Sequence, residues 1–378
     1  MRKRRTLLLA VLGTFLCLAA CGEPVQETEK KGTERKETAG AAENADNQEL
    51  SWEDGRISLT LVEGVSVDAE IIKPDHIGET VEKCRVEIGN ADQMGLANVL
   101  FPDIEAEEWK VDDYGFGTVL SYKGNLKVPF SQAEQQGNAR ISEGIRFYTD
   151  RWLKCEANLP VLFTSKGILT FGDLSGELDF DSRSAVAEKV TGYLREKLGM
   201  ETAVEEMYTL RWQTLEAQEE KNREDGGEDL KTPEPQNWTW SEEDDSYYLV
   251  LERYINGIPM LNDHYLRREE GLAPVGRITV GYSANGMEGL DSLENFIVTE
   301  TEPVELAGPE VILDALKKKL ELLIVDSVTV TQMKLIYFPY FRPDGDCDLI
   351  PVWRITCEQG GEEQHIYIEA DTGNEVTE

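Results

Sequence analysis

The chain has 378 residues and carries 73 Asp or Glu against 38 Lys or Arg, a formal net charge of −35. A surface this acidic repels nucleic acid and anionic lipid head groups, and no basic stripe with interleaved aromatics offsets it, so nucleic acid is excluded as a partner. The length exceeds what one hydrophobic core usually spans, which predicts two or three domains in the folded part.

At the N-terminus, Arg2, Lys3, Arg4 and Arg5 precede an apolar run from Leu7 to Leu18 that is broken by Gly13 and Thr14. The run is too short for a stable membrane span, which takes about 20 apolar residues. A basic stretch, an apolar stretch and then small residues is the order an export signal requires. Leu18-Ala19-Ala20-Cys21-Gly22 closes it and resembles the lipobox of bacterial lipoproteins. The resemblance implies a signal peptide over residues 1–20 and a diacylglycerol on Cys21, holding the mature chain on the extracytoplasmic face of the cell membrane. Residues 21–50 are rich in Glu, Lys, Thr, Ala and Gly. With so little to bury they form a flexible tether of roughly 30 Å.

Residues 51–178 are expected to form a mostly β N-terminal domain. Ile57 to Leu61 alternates, Val65 to Ile72 continues in strand character until Pro74, and Ala91 to Leu100 suits a short helix stopped by Pro102. Further strand candidates are Gly117 to Tyr122, Ile145 to Tyr148 and Ile168 to Phe171.

A clearer pattern begins at Asp181 and Ser182, two good N-caps, with Val186, Val190, Tyr193, Leu194 and Leu198 at helical spacing and Gly199 as the C-terminal stop. Met207 to Trp212 is strand-like, and the polar stretch 213–237 is expected to be an acidic insertion or exposed loop, whose Glu216 to Glu220 could extend a helix. Tyr247 to Ile258 is a long strand running into Asn256-Gly257-Ile258-Pro259, and Arg277 to Tyr282 is another, turning at Asn285-Gly286. The same order then recurs. Pro309 suits the first turn of a helix whose Ile312, Leu316, Leu320 and Leu323 share a face. Val328 to Tyr340 is extended, Leu349 to Cys357 places Trp353, Ile355 and Cys357 on one face, and Gln364 to Ala370 follows Gly360-Gly361.

Pro351-Val352-Trp353-Arg354-Ile355, followed by Tyr367-Ile368-Glu369-Ala370-Asp371-Thr372-Gly373, resembles the closing hairpin of PepSY-type domains and of YycI-like extracytoplasmic regulators. Pro351, Trp353, Tyr367, Thr372 and Gly373 carry the signature. Tyr254 to Pro259 is similar to the family's strand ending in N-G-I-P. The resemblance implies an α+β fold: the N-terminal domain, then two PepSY-like units, each a helix packed on an antiparallel sheet. The first, at 179–305, would be degenerate and carry the insertion; the second would span 306–378. It also implies a regulatory role, since such domains restrain proteases or adjust a membrane sensor kinase from outside the cell. YycI-like proteins use a transmembrane anchor where this chain has a lipobox, and the family contributes no catalytic residue. As a whole the chain is similar to uncharacterised lipoproteins of Gram-positive anaerobes.

Signatures of chemistry are sparse. Gly281 to Gly286 holds one residue too many for a nucleophile elbow, and neither S-x-x-K nor H-E-x-x-H occurs. His76, His264 and His365 are far apart in sequence, and His365 falls on the solvent face of its strand. Asp344, Asp346 and Asp348 alternate as in a calcium loop, but positions 6 and 12 hold Leu349 and Ile355 where Gly and Glu are needed. Trp238 and Trp240 suit either a sugar-stacking platform or a half-buried packing pair. Cys347 and Cys357 flank one strand, roughly 33 Å apart if straight, beyond disulfide reach; a bridge would have to use Cys84 or Cys155, and four thiols are equally compatible. The expectation is a binding or regulatory lipoprotein with no cofactor, no metal and no catalytic residue, acting on a membrane kinase, protease or transporter. A protein that captures a peptide, sugar or cation is the alternative, and a cell-envelope hydrolase with scattered carboxylates comes after it.

Overall fold

A computed structural model describes residues 50–88, 93–113, 118–129, 145–163, 169–171, 174–225, 238–261, 265–268, 271–274, 277–292, 296–322, 327–342 and 347–376. The chain divides into two units between Gln48 and Glu49, and everything below concerns the second. The expected signal sequence, the lipobox-like segment with Cys21 and nearly all of the expected tether lie outside the described residues, as do His264, Asp344, Asp346 and residues 226–237.

Strands β1 (Arg56–Val62), β2 (Val65–Ile72) and β3 (Thr80–Ile88) lead to helix α1 (Gln93–Leu100). Next come β4 (Lys110–Asp113), β5 (Thr118–Tyr122), β6 (Leu126–Pro129), β7 (Ile145–Thr149), α2 (Asp150–Glu156), β8 (Val161–Phe163), β9 (Leu169–Phe171) and α3 (Arg183–Leu198). The middle of the chain supplies β10 (Glu201–Leu210), α4 (Trp212–Asp225), β11 (Ser246–Ile255), β12 (Ile258–Pro259), β13 (Tyr265–Arg268), β14 (Gly271–Pro274), β15 (Ile278–Ser283), β16 (Gly286–Ser292) and β17 (Phe296–Glu305). Helix α5 (Pro309–Leu322) and the long strands β18 (Val328–Phe341), β19 (Cys347–Gln359) and β20 (Glu362–Glu369) complete it.

These strands build two large sheets. The first is seven-stranded, in the order β1-β2-β18-β19-β3-β17, with β20 also on β19; the second is nine-stranded, in the order β10-β11-β15-β16-β7-β6-β5-β4, with β12 on β11. The α+β expectation, an N-terminal domain followed by two helix-on-sheet units, is thereby overturned: the protein is mostly β, and its two sheets are interleaved along the chain. β2 runs parallel to β18 from Val65↔Val328 onward, and β3 takes the end of β19 through Cys84↔Leu349. Residues near 60–90 thus lie beside residues near 330–350. Periodicity identifies a strand but says nothing of its neighbour in the sheet, and pairings this distant in sequence are invisible to it. Within the stretch 213–237, residues 213–225 belong to helix α4, the helical alternative for Glu216 to Glu220 and not an exposed loop.

Buried clusters lie on both faces of the central strands of each sheet. On the first sheet, Ile312, Leu316 and Leu320 of α5 join Trp353, Ile355 and Met333 in one buried cluster, while Ile336, Phe338, Val352 and Tyr367 form another with Leu261. On the second, Val186, Val190 and Leu194 of α3 pack with Tyr247, Leu249 and Leu251, and Trp152 of α2 packs with Tyr248, Val250, Leu215 and Trp240. Local signals behave as their chemistry dictates. The Ser182 side chain accepts from the Ala185 N–H to start α3, and Gly199 ends it at φ 64°. Asn256 and Gly257, at φ 51° and 74°, make the two-residue turn from β11 to β12. Among the described residues no helix is long and apolar enough to cross a membrane.

Strand β11 and the hairpin after it join the sheets. Met260 bridges to Tyr337 of β18, and the Leu261 N–H donates to the Tyr337 carbonyl at 2.8 Å. Lys334 of β18 meets Glu252 of β11 at 2.6 Å, with side-chain exposures of only 15% and 8%.

Candidate functional site

β11 alternates, and its alternation explains the junction. Tyr247, Leu249, Leu251, Arg253 and Ile255 share one face, so an arginine takes a place in an apolar register. Arg253 is buried, at 8% exposure. Its Nη2 donates to the Phe296 carbonyl of β17 at 2.9 Å, which ties the guanidinium to the first sheet. Loss of solvation lowers its pKa to about 10, because burial penalises the charged form. Next to it lies a cavity of about 340 Å³ lined by Met200, Glu201, Arg253, Ile255, Phe296 and Val298 among others. The lining joins a few apolar side chains to one buried guanidinium, one exposed carboxylate, Tyr254 and Asn256, and its open surface is more polar than apolar.

Phe296 and Val298 open β17, the outermost strand of the first sheet. β3 pairs with one side of β17 from Phe296↔Ile88 to Glu305↔Thr80, and among the described residues no strand pairs with the other. From Ile297 to Pro303 every residue is exposed. A long edge of this kind presents unpaired main-chain donors and acceptors to an incoming strand. Glu300, Glu302, Pro303 and the bulge between Val298 and Glu300 qualify that invitation: charge, proline and bulge discourage indiscriminate pairing. Two of the other outer strands are less open. The edge of β10 is engaged where the Thr209 N–H donates to the Leu174 carbonyl and the Arg183 guanidinium donates to the Met207 carbonyl. β1 is shorter, and its Leu59 and Leu61 pack against the core.

A second polar cluster sits on the α2 side of the other sheet. Arg146 of β7 lies 3.2 Å from Asp291 of β16 and 3.5 Å from Glu156 of α2. Burial raises both carboxyl pKa values while Arg146 opposes the rise; Arg277 also opposes it at Asp291. The helix that carries Glu156 is held by Trp152, whose indole lies across Gly281 and Gly289 on neighbouring strands. A Cβ at either glycine would fall 2.2 or 2.1 Å from the ring, so only glycine permits this approach. Trp152 also stacks on Tyr248, with centroids 5.9 Å apart.

The residues singled out in sequence divide into several groups. The hairpin signature is structural. Trp353 stacks on Trp52 at 4.1 Å, Tyr367 meets Phe338 edge-on at 5.4 Å, and the Pro351 carbonyl accepts from the Ala370 N–H at 2.9 Å. Thr372 donates to Glu369 and accepts from the Asn374 N–H, while Gly373, at φ 72°, leaves room for Val311 of α5. Cys21 lies outside the described residues. Trp240 is buried, donating from Nε1 to Glu219 at 2.6 Å under the Lys154 ammonium, so it packs the interior instead of offering a platform. Cys84, Cys155, Cys347 and Cys357 are buried thiols, and burial pushes Cys155 up to about 12 and Cys357 up to about 11. His76 meets the Asn256 carbonyl at 3.0 Å and His365 meets Thr356 at 3.3 Å, in different parts of the fold. Sequence reasoning missed Arg253 and the β17 edge. For Arg253 a signal existed: a charge on the apolar side of an alternating strand. For β17 none did, since edge position follows from pairing.

No family model matches the chain, and no curated protein does. Among solved structures, an uncharacterized protein from Eubacterium rectale ATCC 33656 is similar at 18% identity, over 85% of this chain and 93% of its own, with a TM-score of 0.53. That likeness is one of fold. The C-terminal domain of YpeB from Bacillus megaterium aligns over 77% of this chain and 97% of its own at 9% identity, with a TM-score of 0.31, too low to carry an argument.

Proposed function

We propose that this chain is a non-catalytic binding protein of the extracytoplasmic face, tethered through a diacylglycerol on Cys21, that regulates a membrane kinase, protease or transporter by pairing with a segment of it. The observation that carries the reading is the edge of β17, exposed from Ile297 to Pro303. Main-chain bonds along such an edge supply affinity, and side-chain pockets at alternate positions supply selectivity. The exposed Glu300 and Glu302, on a chain of net charge −35, favour a partner segment flanked by Lys or Arg. A lipid anchor with a flexible tether would raise the local concentration of membrane partners without fixing orientation. The lipobox-like sequence and the motif-level resemblance to PepSY-type domains support the location and the regulatory role.

The test is in-cell crosslinking of the full-length protein, comparing wild type, Cys21→Ala and Ile297→Asp. One membrane protein captured by the wild type, lost with Ile297→Asp and reduced with Cys21→Ala, is the expected result. Identical capture by all three would overturn the reading.

A further inference from the structure

We infer that the strand received by β17 is short and carries one Lys or Arg whose side chain pairs with Glu302. The inference rests on the strand-pairing reading above and specifies the sequence of the partner segment. The ends of the available edge come first. At the start of β17 the Arg253 guanidinium donates to the Phe296 carbonyl at 2.9 Å, and the end of β11 stands across a cavity from Phe296 and Val298. At the far end Pro303 has no N–H to offer an incoming strand. Beyond it the Leu306 N–H is taken by the Glu79 carbonyl at 2.8 Å. Residues 298–302 remain, roughly 17 Å of edge.

The register with β3 then sorts the side chains, because residues directly opposite one another in an antiparallel pair share a face. Val298 and Thr301 lie opposite Val86 and Cys84, both buried in the core, so these two stand on the core side. Glu300 and Glu302 lie opposite Arg85 and Lys83, on the outward side. Each glutamate thus has a cation as its cross-strand neighbour, but only one keeps it. Arg85 meets Glu300 at 2.9 Å. Lys83 is held instead by Asp371, in the turn after β20, at 2.7 Å. Among the described residues no cation pairs with Glu302. A strand added to β17 sets its own outward side chain directly beside Glu302, on the side away from Lys83. Lys or Arg in that place gains a cross-strand ion pair, whereas Asp or Glu meets a like charge. A second copy of β17 would bring Glu300 and Glu302 against their counterparts, so charge opposes self-pairing. On the core side, Val298 and Thr301 suit β-branched neighbours. The partner segment is therefore a short extended run with one basic residue between β-branched ones.

A random heptapeptide display library decides it, selected on the purified full-length chain in detergent and on its Glu302→Lys, Glu300→Gln and Ile297→Asp variants. All three positions are exposed, so the melting midpoint should be retained in each variant. Peptides that bind the wild type and not Ile297→Asp are those that use β17. Among them one position should be enriched in Lys or Arg and flanked by β-branched residues. Selection on Glu302→Lys should turn that position to Asp or Glu, and selection on Glu300→Gln should leave it basic. Exchange of the basic residue for Gln in a selected peptide should weaken binding to the wild type about two- to fivefold, the scale of an exposed ion pair, and should not weaken binding to Glu302→Lys. The same charge preference on wild type and Glu302→Lys would overturn the inference and leave strand pairing standing. Absence of any peptide that depends on β17 would overturn the pairing reading, and this inference with it.

Discussion

At the residue scale, the indole of Trp152 packs directly across Gly281 and Gly289. Trp152→Ala empties a fully enclosed site and is expected to cost about 3–5 kcal/mol. Gly281→Ala forces a methyl into the ring position and should cost about 1–3 kcal/mol or more; chemical denaturation of each variant checks both. The carboxyls nearby set a pH dependence. Burial raises the pKa values of Glu156 and Asp291 against the pull of Arg146. A carboxyl raised in the folded state holds its proton more tightly there than in the unfolded chain. Stability therefore falls as pH climbs from the ordinary carboxylate range through the raised value, and stays lower above it. Asp291→Asn removes that group's share. The wild-type midpoint, taken relative to Asp291→Asn, should decline as pH rises above the ordinary carboxylate range, and a difference that does not vary with pH would contradict the assignment.

At the element scale, β11 is the strut of the fold, buried on both faces and tied to the first sheet by Glu252–Lys334 and Arg253–Phe296. Lys334→Met would leave the Glu252 carboxylate, among the described residues, with only the Tyr254 hydroxyl donating to it at 2.9 Å. The expected cost is roughly 3–5 kcal/mol, mostly recovered in the Lys334→Met, Glu252→Leu double variant. Equal destabilisation by the single and double changes would show the pair to be incidental. Elements with local punctuation were legible from sequence. Ser182 and Gly199 bound α3, Pro309 opens α5, and Asn256-Gly257 turns β11 into β12, because caps and turns are decided within a few residues. Helix α4 was not: its charged surface lacks apolar periodicity, and Leu215 and Trp240 place it only through tertiary packing.

At the scale of the whole molecule, interleaving is the feature that sequence concealed. The C-terminal hairpin was legible in its strands and in Trp353 and Tyr367, but the partners β2 and β3 lie more than two hundred residues upstream. Residues 306–378 expressed alone would expose the long flanks of β18 and β19 that β2 and β3 cover. They should remain unfolded or aggregate, as judged by amide dispersion in NMR spectra, whereas dispersed signals from that piece would contradict the pairing. The same interleaving sends β17 to the rim of the first sheet, beside the cavity at Arg253, and gives the edge its proposed functional meaning. A photo-crosslinking amino acid at Thr301, in the middle of β17, tests that meaning most directly in cells making the full-length protein, with the same probe at Thr60 of β1 as the control edge. The account predicts one membrane protein joined at Thr301 and not at Thr60; capture of the same proteins at both positions, or of none at Thr301, would contradict it.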